Sequence, residues 1–148
     1  MALPAFERFA SDTVDEILDV VRTAADGEEL AKALTALHKM VRTDVLPPGR
    51  FGSVVEAARC CLLSTTTPRT WRAAVELAVE TGESHLRMMV AGIASGLVQP
   101  AFPDRPDLHL WARSTARGVL RRYYQAHGVP TPDQPEDPGD GGCDDLAG

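Results

Sequence analysis

Chemistry at neutral pH needs a nucleophile, a titratable acid or base, a cluster of metal ligands or a phosphate cradle, so His, Cys, grouped carboxylates and paired glycines are placed first. His38, His85, His109 and His127 stand far apart in the sequence, each without a second ligand at coordinating spacing. There is no Cys-x-x-Cys, no His-Glu-x-x-His and no Glu-x-x-His of the di-iron bundle kind. His38 lies at the edge of an apolar helix face and reads as a half-buried packing residue. Cys60 and Cys61 are adjacent, and neighbouring helical residues point about 100° apart, which makes Cys61 core and Cys60 a surface thiol. Cys143 is surrounded by Asp140, Asp144 and Asp145, whose charge disfavours a thiolate. Gly49-Arg-Phe-Gly52 lacks the lysine and the glycine spacing of a nucleotide loop, and the acidic C-terminus lacks the alternating ligands of a calcium loop. No catalytic residue, cofactor or metal site is assigned. An enzyme would have to assemble its site from residues distant in the sequence.

Two charged surfaces remain. In the last helical segment Arg113, Arg117 and Arg121 recur every four residues, which places them on one side, and Leu110 and Tyr124 fall on that same outer side. A solvated face with snorkelling arginines is one reading; an interface is the other, because arginine beside tyrosine and an exposed leucine is the composition of binding hot spots. Arginine also suits phosphate, and Tyr124 or Trp111 suits a stacked base. The second surface is the acidic outer side of the first helix, Asp12, Asp15, Glu16 and Asp19. It reads as solvated decoration, or as the complement of the arginine stripe on a second copy of the chain.

The elements that carry these residues follow from periodicity. Six segments repeat apolar residues at helical spacing and none alternates like a strand, so the fold class is all-α, a single bundle of about six helices that would fit three antiparallel hairpins. The first covers roughly residues 4 to 25, with Phe6, Phe9, Ala10, Val14 and Ile17 on its core side. Asp26 to Glu29 has the spacing of a capping box for a second helix, stopped by Pro47-Pro48-Gly49. Ser53 to Glu56 repeats that spacing at the start of a third, ending near residue 64. Thr67-Pro68 opens a fourth, stopped at Gly82. Ser84 caps a fifth that runs to about Val98, uncharged past Arg87 and therefore expected at the centre of the domain, with Gly92 and Gly96 admitting a close neighbouring helix. Asp104 to Asp107 opens a sixth, which closes at Gly128 and whose core side is Leu108, Ala112, Thr115, Ala116, Val119, Leu120 and Tyr123.

Residues 129–148 mix Pro and Gly with six acids and contain no Lys or Arg, so they read as a disordered acidic tail on a helical domain of residues 1–128. Removing the tail from the net charge of −6 leaves 15 acids and 15 bases, a neutral body whose first 49 residues are acidic and whose remainder is basic. Global charge therefore gives no sign of nucleic-acid binding. No stretch approaches the roughly 20 apolar residues of a membrane helix, the odd cysteines form no disulfide framework, and no secretory leader is apparent, so the expected compartment is the cytoplasm. The first functional reading is a small helical adaptor or accessory subunit acting on a protein partner through Leu110, Arg113, Arg117, Arg121 and Tyr124. A nucleic-acid accessory factor using the same arginines is the second, and a small-molecule or cofactor pocket around the fifth helix the third.

Overall fold

The computed structural model describes residues 5–24, 27–64, 67–98, 102 and 105–128, with side chains from Ser11 onward. These residues form six α-helices and a short 3-10 turn, with no strand among them, in agreement with the all-α bundle. The helices are α1 (Ala5–Thr23), α2 (Glu28–Arg42), α3 (Phe51–Ser64), α4 (Pro68–Glu80), α5 (Ser84–Ser95) and α6 (Asp107–Ala126), and Pro48–Arg50 is the 3-10 turn ahead of α3. No helix is long and apolar enough to cross a membrane among the described residues. The acidic tail 129–148, Cys143, Asp26, Asp104 and the side chains of Phe6, Phe9 and Ala10 lie outside the described residues.

The helix ends follow local chemistry, in places differently from the spacing. Thr67 is extended and Pro68 occupies the first turn of α4, as expected, while the Thr67 hydroxyl donates to Thr70 Oγ1 at 2.7 Å and accepts no backbone N–H of the helix. The α2 helix ends at Arg42, ahead of the prolines, because Asp44 takes a left-handed conformation (φ 59°) and the Val45 N–H returns to the Met40 carbonyl. Since α3 starts at Phe51, Ser53 sits inside the helix and caps nothing. The cap of α5 is Glu83, one residue before Ser84: its carboxylate accepts the Leu86 N–H at 2.9 Å, and that bond holds the carboxyl below its usual pKa. At the other end α5 stops at Ser95, short of Val98, because Gly96 turns left-handed (φ 83°). There the Gly96 N–H bonds the Ile93 carbonyl at 3.1 Å and the Leu97 N–H bonds that of Gly92 at 2.8 Å, the paired bonds of a Schellman closure.

The centre of the bundle is α4, which corrects the expectation for α5. From Thr70 to Val79 every residue of α4 except Arg72 and Glu76 is buried, and the helix packs against α2, α3, α5 and α6. Its charges, Arg69, Arg72, Glu76 and Glu80, follow one stripe, so most of its circumference is free to pack. α5 is uncharged past Arg87 but has an open side, where Met88 is 70% exposed and Ala91 and Ser95 also face solvent. Trp71 on α4 is fully buried: its rings lie 5.8 Å from both Phe102 and Trp111, and its Nε1–H donates to the Leu62 carbonyl at 3.2 Å.

Candidate functional site

The structure keeps Leu110, Arg113, Arg117 and Arg121 exposed on α6, as their spacing predicts, but buries Tyr124 to 9%. Tyr124 leaves the proposed outer face because α5 packs along that side of α6. The buried arc is thereby drawn toward Ala116, Leu120 and Tyr124, leaving Thr115 and Tyr123 only half-buried.

Two of the three arginines are engaged within the chain. Arg117 Nη2 donates to the Ala94 carbonyl at 3.0 Å, in the last turn of α5, where carbonyls have no partner inside the helix and a cation meets the negative end of the dipole. The Arg113 guanidinium lies over Gly96, so close that a Cβ there would be 3.3 Å from Cζ. Arg121 has no ion-pair partner among the described residues. Gly92 and Gly96 serve this same corner, approached by the Val98 side chain and by the Arg113 side chain of α6. Val98 folds back over Gly92, where an added Cβ would meet its Cγ2 at 2.6 Å. With Val98 turned inward, Leu97 points out and is 86% exposed. Leu110 (72%) precedes Arg113 by one turn of α6, and Met88 (70%) precedes Gly92 by one turn of α5. Met88, Leu97, Val98 and Leu110 are thus exposed apolar residues of α5, of the turn that closes it and of α6, the helix whose Arg113 lies over that turn.

The acidic side of α1 is partly neutralised. Asp15 receives both Arg50 Nε (2.6 Å) and Nη2 (3.0 Å), a bidentate pair that ties α1 to the 3-10 turn and holds the Asp15 carboxyl below its usual pKa. Asp19 pairs with Arg22 on its own helix, and Asp12 and Glu16 remain exposed.

Cys60 is exposed and Cys61 buried, as the helical register predicts. Burial and then the neighbouring Glu56 carboxylate, 3.5 Å from its Sγ, push the Cys60 thiol pKa up, which lowers its nucleophilicity at neutral pH. No group of three or more His, Cys, Asp or Glu side chains could hold a metal among the described residues. A cavity of about 710 Å³ opens between α1, α3 and the start of α2, lined by Leu18, Val21, Leu30, Ala57 and Cys60, and not at α5, where the third reading placed a pocket. A second, polar cleft of about 480 Å³ brings His38 and Arg42 of α2, Glu76 and Glu80 of α4, and Arg122 and Tyr123 of α6 together. Sequence reasoning missed it. Its only signal was that His38/Arg42 and Glu76/Glu80 are each pairs four residues apart on one helix face. Comparison with protein-family models, curated proteins and solved structures finds no match to this chain.

Proposed function

We propose that this chain is a cytoplasmic helical adaptor or accessory subunit acting by protein–protein contact, and that it docks through the α5–α6 corner. The observation that carries this reading is the concentration of large exposed apolar side chains there, Met88, Leu97, Val98 and Leu110. Contiguous exposed apolar surface on a small domain marks an interaction site more often than isolated residues do. The partner it fits presents apolar side chains to the two leucines and the methionine and a carboxylate to the arginine edge. Covering those three residues contributes about 1.5–3 kcal/mol each before the cost of association, which consumes about 4–15 kcal/mol. Burial of these three residues alone is thus marginal, so further apolar contacts with the partner must add affinity, and the charged edge supplies mainly orientation.

The nucleic-acid reading ranks second, because Arg117 is already committed to the Ala94 carbonyl and the burial of Tyr124 removes the stacking surface from this face. The test is to capture the partner with the full chain from native-host extract, identify it, and measure purified binding by wild type, Leu97→Asp and Leu110→Asp. We expect a loss of roughly tenfold or more for each variant and only mild salt dependence. Unchanged affinity in both variants overturns the docking site, and a steep fall with salt shifts the choice to nucleic acid. Sedimentation of the purified chain reports whether the partner is a second copy.

A further inference from the structure

Helices α2 and α6 pack on α4, and a cleft of about 480 Å³ opens between them over the α4 residues Glu76, Val79 and Glu80. The charges in this cleft are sorted in a way that the sequence alone does not reveal. Glu80 faces His38 of α2 at 3.3 Å, both side chains 19% exposed, and Glu76 faces Arg72 one turn earlier on α4 at 3.5 Å. Each carboxylate in the cleft therefore already has a basic neighbour. Arg42 on the α2 wall and Arg122 on the α6 wall have no carboxylate partner among the described residues. The α6 wall also carries an aromatic pair, the Tyr123 and His127 rings, 4.2 Å apart at 38°. Val79 and Val119 complete it with apolar surface.

We propose that this cleft binds a small ligand bearing one phosphate or carboxylate on a flat ring, with the anion between Arg42 and Arg122 and the ring against Tyr123 and His127. The sign follows from pairing: a cationic ligand would compete with Arg72 and His38 for carboxylates, whereas an anion meets two guanidiniums whose donors suit either oxyanion. The size follows from the volume, which lies within the range of small-molecule sites. The cleft lies on the α2 side of α6 and the docking corner on its α5 side, so this inference does not depend on the proposed function.

The experiment uses the full chain, titrated in parallel with phenyl phosphate, benzoate, phenol and inorganic phosphate and followed by amide and aromatic NMR shifts. We expect saturable shifts from phenyl phosphate or benzoate, localised to His38, Arg42, Glu80 and residues 119–127. Phenol and phosphate alone should bind at least roughly tenfold more weakly, since each offers half of the recognition. Whichever anionic ring binds more tightly identifies the acid group. Arg42→Gln with Arg122→Gln should cost roughly tenfold or more, and as both side chains are exposed the fold should keep its wild-type spectrum. No saturable shift at millimolar concentration, shifts mapping elsewhere, phenol binding as tightly as phenyl phosphate, or an unaffected double variant would each overturn the proposal.

Discussion

Trp71 offers the sharpest test of the architecture, because two substitutions separate its ring from its hydrogen bond. The side chain is fully buried, meets Phe102 edge-on and Trp111 at a tilt, and donates to the carbonyl of Leu62 near the end of α3. That carbonyl lies in the last turn, where helix geometry supplies no donor, and the indole supplies the one it lacks. Trp71→Phe keeps most of the ring and leaves the carbonyl unpaired, at a cost of about 1–3 kcal/mol. Trp71→Ala also opens a cavity costing about 3–5 kcal/mol, so the total of about 4–8 kcal/mol approaches the whole stability of a domain this size. Urea unfolding followed by circular dichroism reads both: with a slope of about 2 kcal/mol per molar, the Phe variant should lower its midpoint by roughly 1 M. The Ala variant should show little or no folded baseline. A Phe variant within roughly 0.2 M of wild type would refute the account of the Leu62 carbonyl, and a cooperatively folded Ala variant would refute the central position of α4.

Ile93→Asp should abolish cooperative unfolding because it buries an unpaired carboxylate at a site 2% exposed, while Met88→Asp on the open side of the same helix should change stability by less than about 0.5 kcal/mol; equal effects in thermal melts would contradict the orientation of α5. Iodoacetamide should label Cys60 and spare Cys61 in the native protein, and Glu56→Gln should speed Cys60 labelling by removing a group that raises the thiol pKa; peptide mass spectrometry showing equal labelling would place α3 in the wrong register. The Asp15–Arg50 pair depresses a folded-state carboxyl pKa, so its contribution is fully present above the unfolded value near 3.8 and lost as pH falls through the lower folded value; the melting-temperature gap between wild type and Asp15→Asn should exist at pH 7 and close below that value. Gly92→Ala gains about 1 kcal/mol of helix propensity yet collides with Val98, so it should displace the Val98 methyl resonances without giving that gain; the full gain with unmoved methyls would refute the packing described for the corner.

Helix number and type were legible because they depend on local periodicity, and Thr67-Pro68 and Gly82 could be placed because their signals lie within one turn. The burial order was not legible. An uncharged stretch such as Met88 to Ser95 resembles a central helix, yet burial is decided by how many neighbours a helix has, which no single segment records. The same limit explains Tyr124: spacing fixes its angle relative to Arg113 and Arg117, but the edge of the buried arc depends on where α5 lies. Gly92 and Gly96 were correctly marked as points of close approach, although what approaches is Val98 and the Arg113 guanidinium. The cleft was invisible for a related reason, since its members come from α2, α4 and α6 and only tertiary packing sets them together.

The arginines show why pairing, and not charge, separates structure from function on this surface. Arg113, Arg117 and Arg121 form the most regular basic pattern in the sequence, but Arg117 donates to a carbonyl in the last turn of α5 and Arg113 lies over the turn at Gly96. These two sit against the Schellman turn whose backbone bonds place Val98 over Gly92 and Leu97 in solvent, next to the apolar corner. Arg42 and Arg122 form no basic stripe along the chain, yet they line a common cleft whose carboxylates are already matched. A guanidinium bonded to a backbone carbonyl has given up part of the donor fork that would recognise a ligand, whereas one without a partner keeps all five donors. Replacing Arg117 should therefore act on a docking partner through the shape of the corner, and replacing Arg122 on a ligand through direct contact, although the two residues lie on the same helix.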